Sequence, residues 1–273
     1  MYDATLRSLW YDSWWLQTYI QVRDYLEANE PEKLRSFEKL IAPLRTDQSF
    51  KTTQFRSVIL PERILEIKEV IQSLGFDRLN ASEFYSFGRH ILRNHSYFDK
   101  LQIDLLPLVE EYVGESVEPS YNFLSLYNNL GSCSAHMDSP QSKWTLDICI
   151  DQSDTWPISF SEVVDWPIDI ARDPEGIAFR EVLDNSEFTQ YLMMPGDGLI
   201  FSGSSQWHFR DPIPKVGPDN FCQLVFLHYL PKGSAKAYDT REWGAYLRSS
   251  NVDNIASKMR NLVKNQHSEK GPA

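Results

Sequence analysis

Six short runs of β-forming residues crowd into the middle of this chain: NFLSLYNN, KWTLDICID, WPISFSEVVDW, EFTQYLMMPG, DGLIFSGSS and NFCQLVFLHYL, separated by Gly, Pro, Asn and Asp. Strand-length segments punctuated in this way demand an antiparallel β architecture. What precedes them has a different texture. Apolar residues recur at three- and four-residue steps in LWYDSWWLQTYIQVRDYLEA and PERILEIKEVIQSLG, where Pro61 suits a first helical turn and Gly75 an end. A further helical stretch, SYFDKLQIDLLPLVEEYVG, closes at Gly114, and its Pro107 implies a kink or a boundary. From about Thr240 the pattern is helical again, before a polar tail, NQHSEKGPA, expected to be disordered. The reading is an α+β chain in three parts: a mainly helical region over 1–118, a β core over 119–232, and a helical segment with its tail over 233–273.

Composition narrows the function classes. With 273 residues, 42% of them hydrophobic, the chain can bury a large core. Lys and Arg total 27 against 38 Asp and Glu, a net charge of -11, and no basic block interleaves with aromatics. A nucleic-acid partner is therefore not expected, because gripping phosphates takes clustered positive charge. The acidic balance suits a neutral, amino-bearing or cationic substrate, and a solvated acidic surface explains it equally well. No run has the length of a membrane span, and MYDATLRSLWYDSWW lacks the basic start and apolar run of a signal peptide. Cys133, Cys149 and Cys222 are odd in number and widely spaced, which speaks against a disulfide framework and for a reducing, cytoplasmic location.

One short stretch carries chemistry. In SAHMDSPQSK, His136 and Asp138 stand two residues apart, so on a strand both project from one face. A third ligand belongs on a distant strand, and His208, seventy residues after the aspartate in FSGSSQWHFRDP, is the candidate. Two imidazoles and one carboxylate form a set that leaves three positions open on Fe(II). Zinc hydrolases use such sets too, but with a general-base glutamate close by, and none adjoins these residues. HxD alone also occurs by chance, and a lone strand histidine is more often a structural residue, so a cupin-like binding protein without catalysis fits the triplet as well.

The segments LYNNLGSCSAHMDSP, KWTLDICI, MMPGDGLIFSGSSQWHFRDP and FCQLVFLHYL, in this order, resemble the Fe(II)- and 2-oxoglutarate-dependent dioxygenases, particularly their prolyl-hydroxylase-like and phytanoyl-hydroxylase-like branches. The resemblance covers roughly residues 119–230. It implies a double-stranded β-helix (jelly roll, cupin-like) core with the helical segments packed on it, and His136, Asp138 and His208 as iron ligands. It further implies 2-oxoglutarate and O₂ as co-substrates, and hydroxylation of an unactivated carbon in a small molecule or an amino-acid-type substrate, free, peptidyl or carrier-bound. Related halogenases have a small residue at the carboxylate position, so Asp138 favours hydroxylation or desaturation over halogenation. The family's Arg or Lys about ten residues after the distal histidine is missing: Gly217, Pro218 and Asp219 stand there. Arg210, on the face of His208 if the strand continues, is the candidate anchor for the distal carboxylate, its alternative being a surface ion pair with Asp211 or another acid. Lys143 and Lys215 are weaker options. Tyr127 and His228 are candidate co-substrate contacts, each with a core-packing alternative, and an insertion over about 161–188 has the length of a lid.

Overall fold

The computed structural model describes residues 13–166, 168, 181, 184–215, 217 and 219–269. Its helices and strands follow as α1 (Ser13–Asn29), α2 (Pro31–Ile41), β1 (Thr53–Phe55), α3 (Pro61–Ser73), α4 (Phe84–Phe87), β2 (Arg89–Arg93), α5 (Ser96–Asp104) and α6 (Leu106–Val113). The β-rich part holds β3 (Val117–Tyr127), β4 (Cys133–His136), β5 (Trp144–Gln152), β6 (Ile158–Val163), β7 (Phe188–Tyr191), β8 (Gly198–Phe201), β9 (Gln206–Arg210) and β10 (Cys222–Pro231). α7 (Ala235–Tyr238), α8 (Trp243–Leu247) and α9 (Ser250–Glu269) complete the described chain.

The strands form two antiparallel sheets, a six-stranded one in the order β1-β8-β5-β10-β3-β2 and a four-stranded one in the order β4-β9-β6-β7. Strand alternation sorts the side chains of the larger sheet into two cores. On β10, Val225, Leu227 and Tyr229 turn outward, where Ile64 and Ile67 of α3, Phe98 and Leu101 of α5 and Val109 of α6 cover them. Cys222, Leu224 and Phe226 turn inward and meet Cys133, Ile158 and Phe160 of the smaller sheet. Because both faces are buried, β5 and β10 read as near-continuous apolar runs rather than alternating ones. Each fully buried side chain of this kind contributes roughly 1.5–3 kcal/mol through the hydrophobic effect.

A third core gathers the two helical segments. Trp15 and Tyr19 of α1, Phe37 of α2, Trp243 of α8 and Trp166 beyond β6 pack together, with ring centroids 5.1–6.0 Å apart, and Leu230 at the end of β10 joins them. Trp15 Nε1 donates to the Tyr238 carbonyl at 2.7 Å, which fixes α1 against α7.

Several local expectations resolve here. Pro61 opens α3, and the αL conformation of Gly114 (φ 70°) closes α6. Pro107 marks a boundary, since α5 ends at Asp104 and α6 starts at Leu106. Gly75 lies just beyond the end of α3, whose cap is Leu74. The first segment also contains two strands, β1 and β2, that its helical periodicity hides. Helix α9 runs on through the expected disordered tail to Glu269. The expected lid over 161–188 begins inside β6 and otherwise falls largely outside the described residues. Among the described residues no helix is long and apolar enough to cross a membrane.

Candidate metal centre

His136, Asp138 and His208 come together as the sequence spacing requires. His136 ends β4, His208 is centred in β9, and the two are register partners across the smaller sheet. Asp138 sits two residues beyond β4, its backbone N–H bonded to the Gly203 carbonyl at 2.7 Å. One ligand atom from each side chain lies within 4.8 Å of the others. His136 Nε2 is 3.7 Å from Asp138 Oδ1, and His208 Nε2 is 3.9 Å from Asp138 Oδ2.

The ring orientations favour a cation. Nδ1 of His136 donates to the Ser134 carbonyl at 2.8 Å, and Nδ1 of His208 to the Gln206 carbonyl at 3.0 Å. In neutral imidazoles these bonds make Nε2 the acceptor, so two ring lone pairs and a carboxylate converge. Burial keeps both rings neutral by pushing their pKa values down, that of His208 well below the ordinary value with His136 as a second cause. The donor set fits a divalent transition metal of intermediate softness.

Gly203, which the sequence reading passed over, makes room for the carboxylate. A Cβ at this position would lie 2.7 Å from both Asp138 Oδ2 and the Ser142 carbonyl oxygen, and 3.1 Å from Thr145 Oγ1. Gly203→Ala should push Asp138 out of line and weaken metal binding roughly 10- to 100-fold, the range seen when groups supporting ligands are disturbed. Equilibrium dialysis against Ni(II) would measure this, and an unaltered affinity would contradict it.

The three side chains line a cavity of about 430 Å³ between the sheets. Its walls include Arg89, Arg93, Tyr121, Phe123, Tyr127, Phe226 and His228 from the larger sheet and Cys133, Ile158, Phe209 and Arg210 from the smaller one. Three arginines and a single carboxylate, Asp138, are in this lining, and behind it Glu83 and Asp147 pair with Arg89 and Arg210.

Arg210 lines the cavity as expected, but its ion pair is buried rather than on the surface. Its guanidinium is 3.1 Å from Asp147 Oδ2, donates to the Trp156 carbonyl at 2.6 Å, and lies over the Trp156 ring. Asp211 instead offers its backbone carbonyl to Trp156 Nε1. Burial raises the Asp147 carboxyl to about 6 despite Arg210. Tyr127 Oη accepts from Arg89 at 2.6 Å, and Arg89 is held by Glu83 through contacts of 2.5 and 2.6 Å. Arg89 was not anticipated, because its short strand went unread. His228 is buried, with Nδ1 2.9 Å from Thr145 Oγ1. Lys143 is tied to Glu115 at 2.6 Å away from the cavity, and Lys215 is exposed.

The buried histidines set the acid response of the metal-free protein. Burial, helped by Arg93, takes His228 down to about 3. A histidine with a depressed folded pKa stabilises the fold above the unfolded value near 6.5; that stability is lost as pH drops, because only the unfolded chain takes up the proton. At pH 5 this costs about 2 kcal/mol for His228 alone. Asp147 works in the opposite sense between about 6 and 3.8, holding a proton that the unfolded chain releases. Three histidines against one carboxyl leave a net loss, so Tm should be lower at pH 5 than at pH 7.5. A flat Tm across that interval would contradict the assignment.

No protein-family model matches the chain, and no curated protein matches it by sequence. Among solved structures, HygX from Streptomyces hygroscopicus, with nickel, 2-oxoglutarate and hygromycin B bound, aligns with a TM-score of 0.51 at 10% identity, covering 68% of this chain and 84% of that one. AviO1 from Streptomyces viridochromogenes Tue57 aligns at 0.50 with 15% identity over 71% and 95% of the two chains. SnoN, a non-heme α-ketoglutarate-dependent epimerase of nogalamycin biosynthesis, gives 0.50 and 12% over 72% and 84%. The chain has the fold of 2-oxoglutarate-dependent oxygenases. At such identities the likeness is one of architecture, and the chemistry rests on this chain's own residues.

Proposed function

We propose that the chain is an Fe(II)- and 2-oxoglutarate-dependent oxygenase that hydroxylates an unactivated carbon of a small-molecule or amino-acid-type substrate. The observation that carries this reading is the convergence of His136, Asp138 and His208 on one point in the wall of an inter-sheet cavity. On this reading the eight strands β3 to β10 are a double-stranded β-helix, split between the two sheets as β8-β5-β10-β3 and β4-β9-β6-β7.

His136, Asp138 and His208 would hold Fe(II), which would supply the chemistry of coupling 2-oxoglutarate decarboxylation with O₂ to oxidation of a C–H bond, with succinate and CO₂ as the products. The chain itself supplies orientation and a dry enclosure. Carbonyl-bonded Nδ1 atoms aim both imidazoles, and Phe201, Phe226, Phe209 and Ile158 keep the surroundings apolar. We assign the distal carboxylate of 2-oxoglutarate to Arg210, whose Nε has no partner among the described residues, with Tyr127 and Arg89 beside it. His228 stands apart from this anchor, near the other end of β10. The Asp138 carboxylate supports hydroxylation over halogenation. A zinc hydrolase with the same ligands is disfavoured because no glutamate lines the cavity among the described residues.

Anaerobic titration of the metal-free protein with Fe(II) and then 2-oxoglutarate tests the reading. A weak visible charge-transfer band is expected only when both are present. Its absence would refute the proposal, and stimulated succinate release with candidate substrates would identify the outcome of the reaction.

A further inference from the structure

The cavity has a second end that the co-substrate reading leaves unused. On β2, Arg89 is the register partner of Tyr127 and Arg93 that of Phe123, so four residues of strand, about 13 Å, part the two arginines. Both lie on the cavity side, with Ile91 between them on the same face. Past Arg93, Tyr121 and His228 continue the wall, their rings 4.2 Å apart, with Phe123 and Phe226 stacked at 4.7 Å beside them.

Two observations at this end point to a ligand. Arg93 extends its guanidinium over the rings of Phe123 (5.2 Å) and Tyr121 (5.8 Å), with the side chain 43% exposed at the cavity mouth. Its carboxylate contact is the Glu83 oxygen at 3.5 Å, on a group whose other oxygen is held by Arg89 at 2.5 Å. One acid thus faces two guanidiniums, and the outer of the two is the more loosely held. The second observation is His228. It is 1% exposed, and its Nε2 is a buried polar atom with no hydrogen-bond partner among the described residues, in a side chain that lines the cavity. Such an atom costs free energy until something in the cavity answers it.

The geometry points to a substrate that carries an anionic group, a carboxylate or a phosphate, held by Arg93 at the mouth with His228 Nε2 as a second polar contact and the aromatic wall against its apolar part. Calling this ligand the substrate rests on the oxygenase reading; the binding itself does not. The planar fork of Arg93 suits two-point pairing with an oxyanion, and stacking on the rings holds the fork in place.

Ligand binding to the metal-free full chain provides the test, read by intrinsic fluorescence or calorimetry. The probes are benzoate and phenyl phosphate against their uncharged counterparts, benzamide and benzyl alcohol. At least one anion should bind tenfold or more tightly than its neutral counterpart, and which of the two does so distinguishes carboxylate from phosphate. Arg93→Gln should erase the preference and Arg93→Lys keep part of it, with folding of both checked by circular dichroism. Equal binding of charged and neutral probes, including no binding of either, overturns the proposal, as does a preference that survives in Arg93→Gln. The charge-transfer band is read separately. Its loss with the preference intact would remove the oxygenase reading and leave the anion site, and the converse result would do the reverse.

Discussion

Replacing His208 by alanine is expected to abolish tight binding of a divalent transition metal while leaving the fold in place. The three ligands come from two strands and a loop, so no neighbouring residue can slide into the vacated position. Cys133 is a neighbouring donor, with Sγ 3.7 Å from His136 Nδ1, but it does not belong to the cluster whose ligand atoms lie within 4.8 Å of one another. Burial also holds its thiol up at about 12, so it presents a proton where a metal needs a thiolate. The loss should exceed the roughly 100-fold that marks the upper range for disturbing a group behind a ligand. Stability should change little, because the variant removes a buried polar ring that touches Phe160 and Phe201 rather than a keystone of the apolar core. Parallel dialysis against Ni(II) and thermal melts of the metal-free protein would check both halves. Wild-type affinity in His208→Ala would end the assignment of this residue as a ligand.

Arg210→Leu should be the most destabilising of the changes considered. Asp147 is fully buried and Arg210 nearly so, and their contact is 3.1 Å. Removing the cation leaves a carboxylate in an apolar wall, which costs about 3–5 kcal/mol in comparable pairs and roughly 10 °C of Tm in a domain of this size. The carboxyl escapes part of that cost by taking a proton, so the penalty should shrink as the pH is lowered from 8 toward 5. Asp147→Asn in the same chain should recover much of the loss, since the pair then leaves no buried charge. Melts of the single and double variants at both pH values would decide it. A double variant no more stable than Arg210→Leu alone would mean that the carboxylate is not the cause.

The cluster of His136, Asp138 and His208 was legible because its chemistry is local to the strand: HxD on one face, and a distant histidine after a strand-like run. The rest of the cavity was not, and β2 shows why. RHILR places Ile91 and Leu92 side by side and puts charge at both ends, so neither the alternating nor the helical template registers it. Two of its three inward positions are arginines, stable there only because Glu83, several residues earlier, turns back to meet them. Arg210 was found from its spacing to His208, whereas its partner Asp147 was invisible, lying in KWTLDICID on a strand whose two buried faces leave no alternation to mark which side chain looks inward. Gly203 was hidden for a different reason. What matters there is the absence of a side chain beside Asp138, and only the packed structure shows what would have been struck.

The aromatic cluster that joins α1 to the later helices has a consequence for how the protein is made. Trp15 and its carbonyl partner Tyr238 are 223 residues apart. On the ribosome, α2 follows at once and Phe37 covers part of the apolar stripe of α1, but the part that meets α7 and α8 stays open until the end of the β core has been made, and contacts of such long range close slowly. Helix α1 is therefore among the last of the described elements to reach its full set of neighbours, and it gains from a chaperone while translation is still under way.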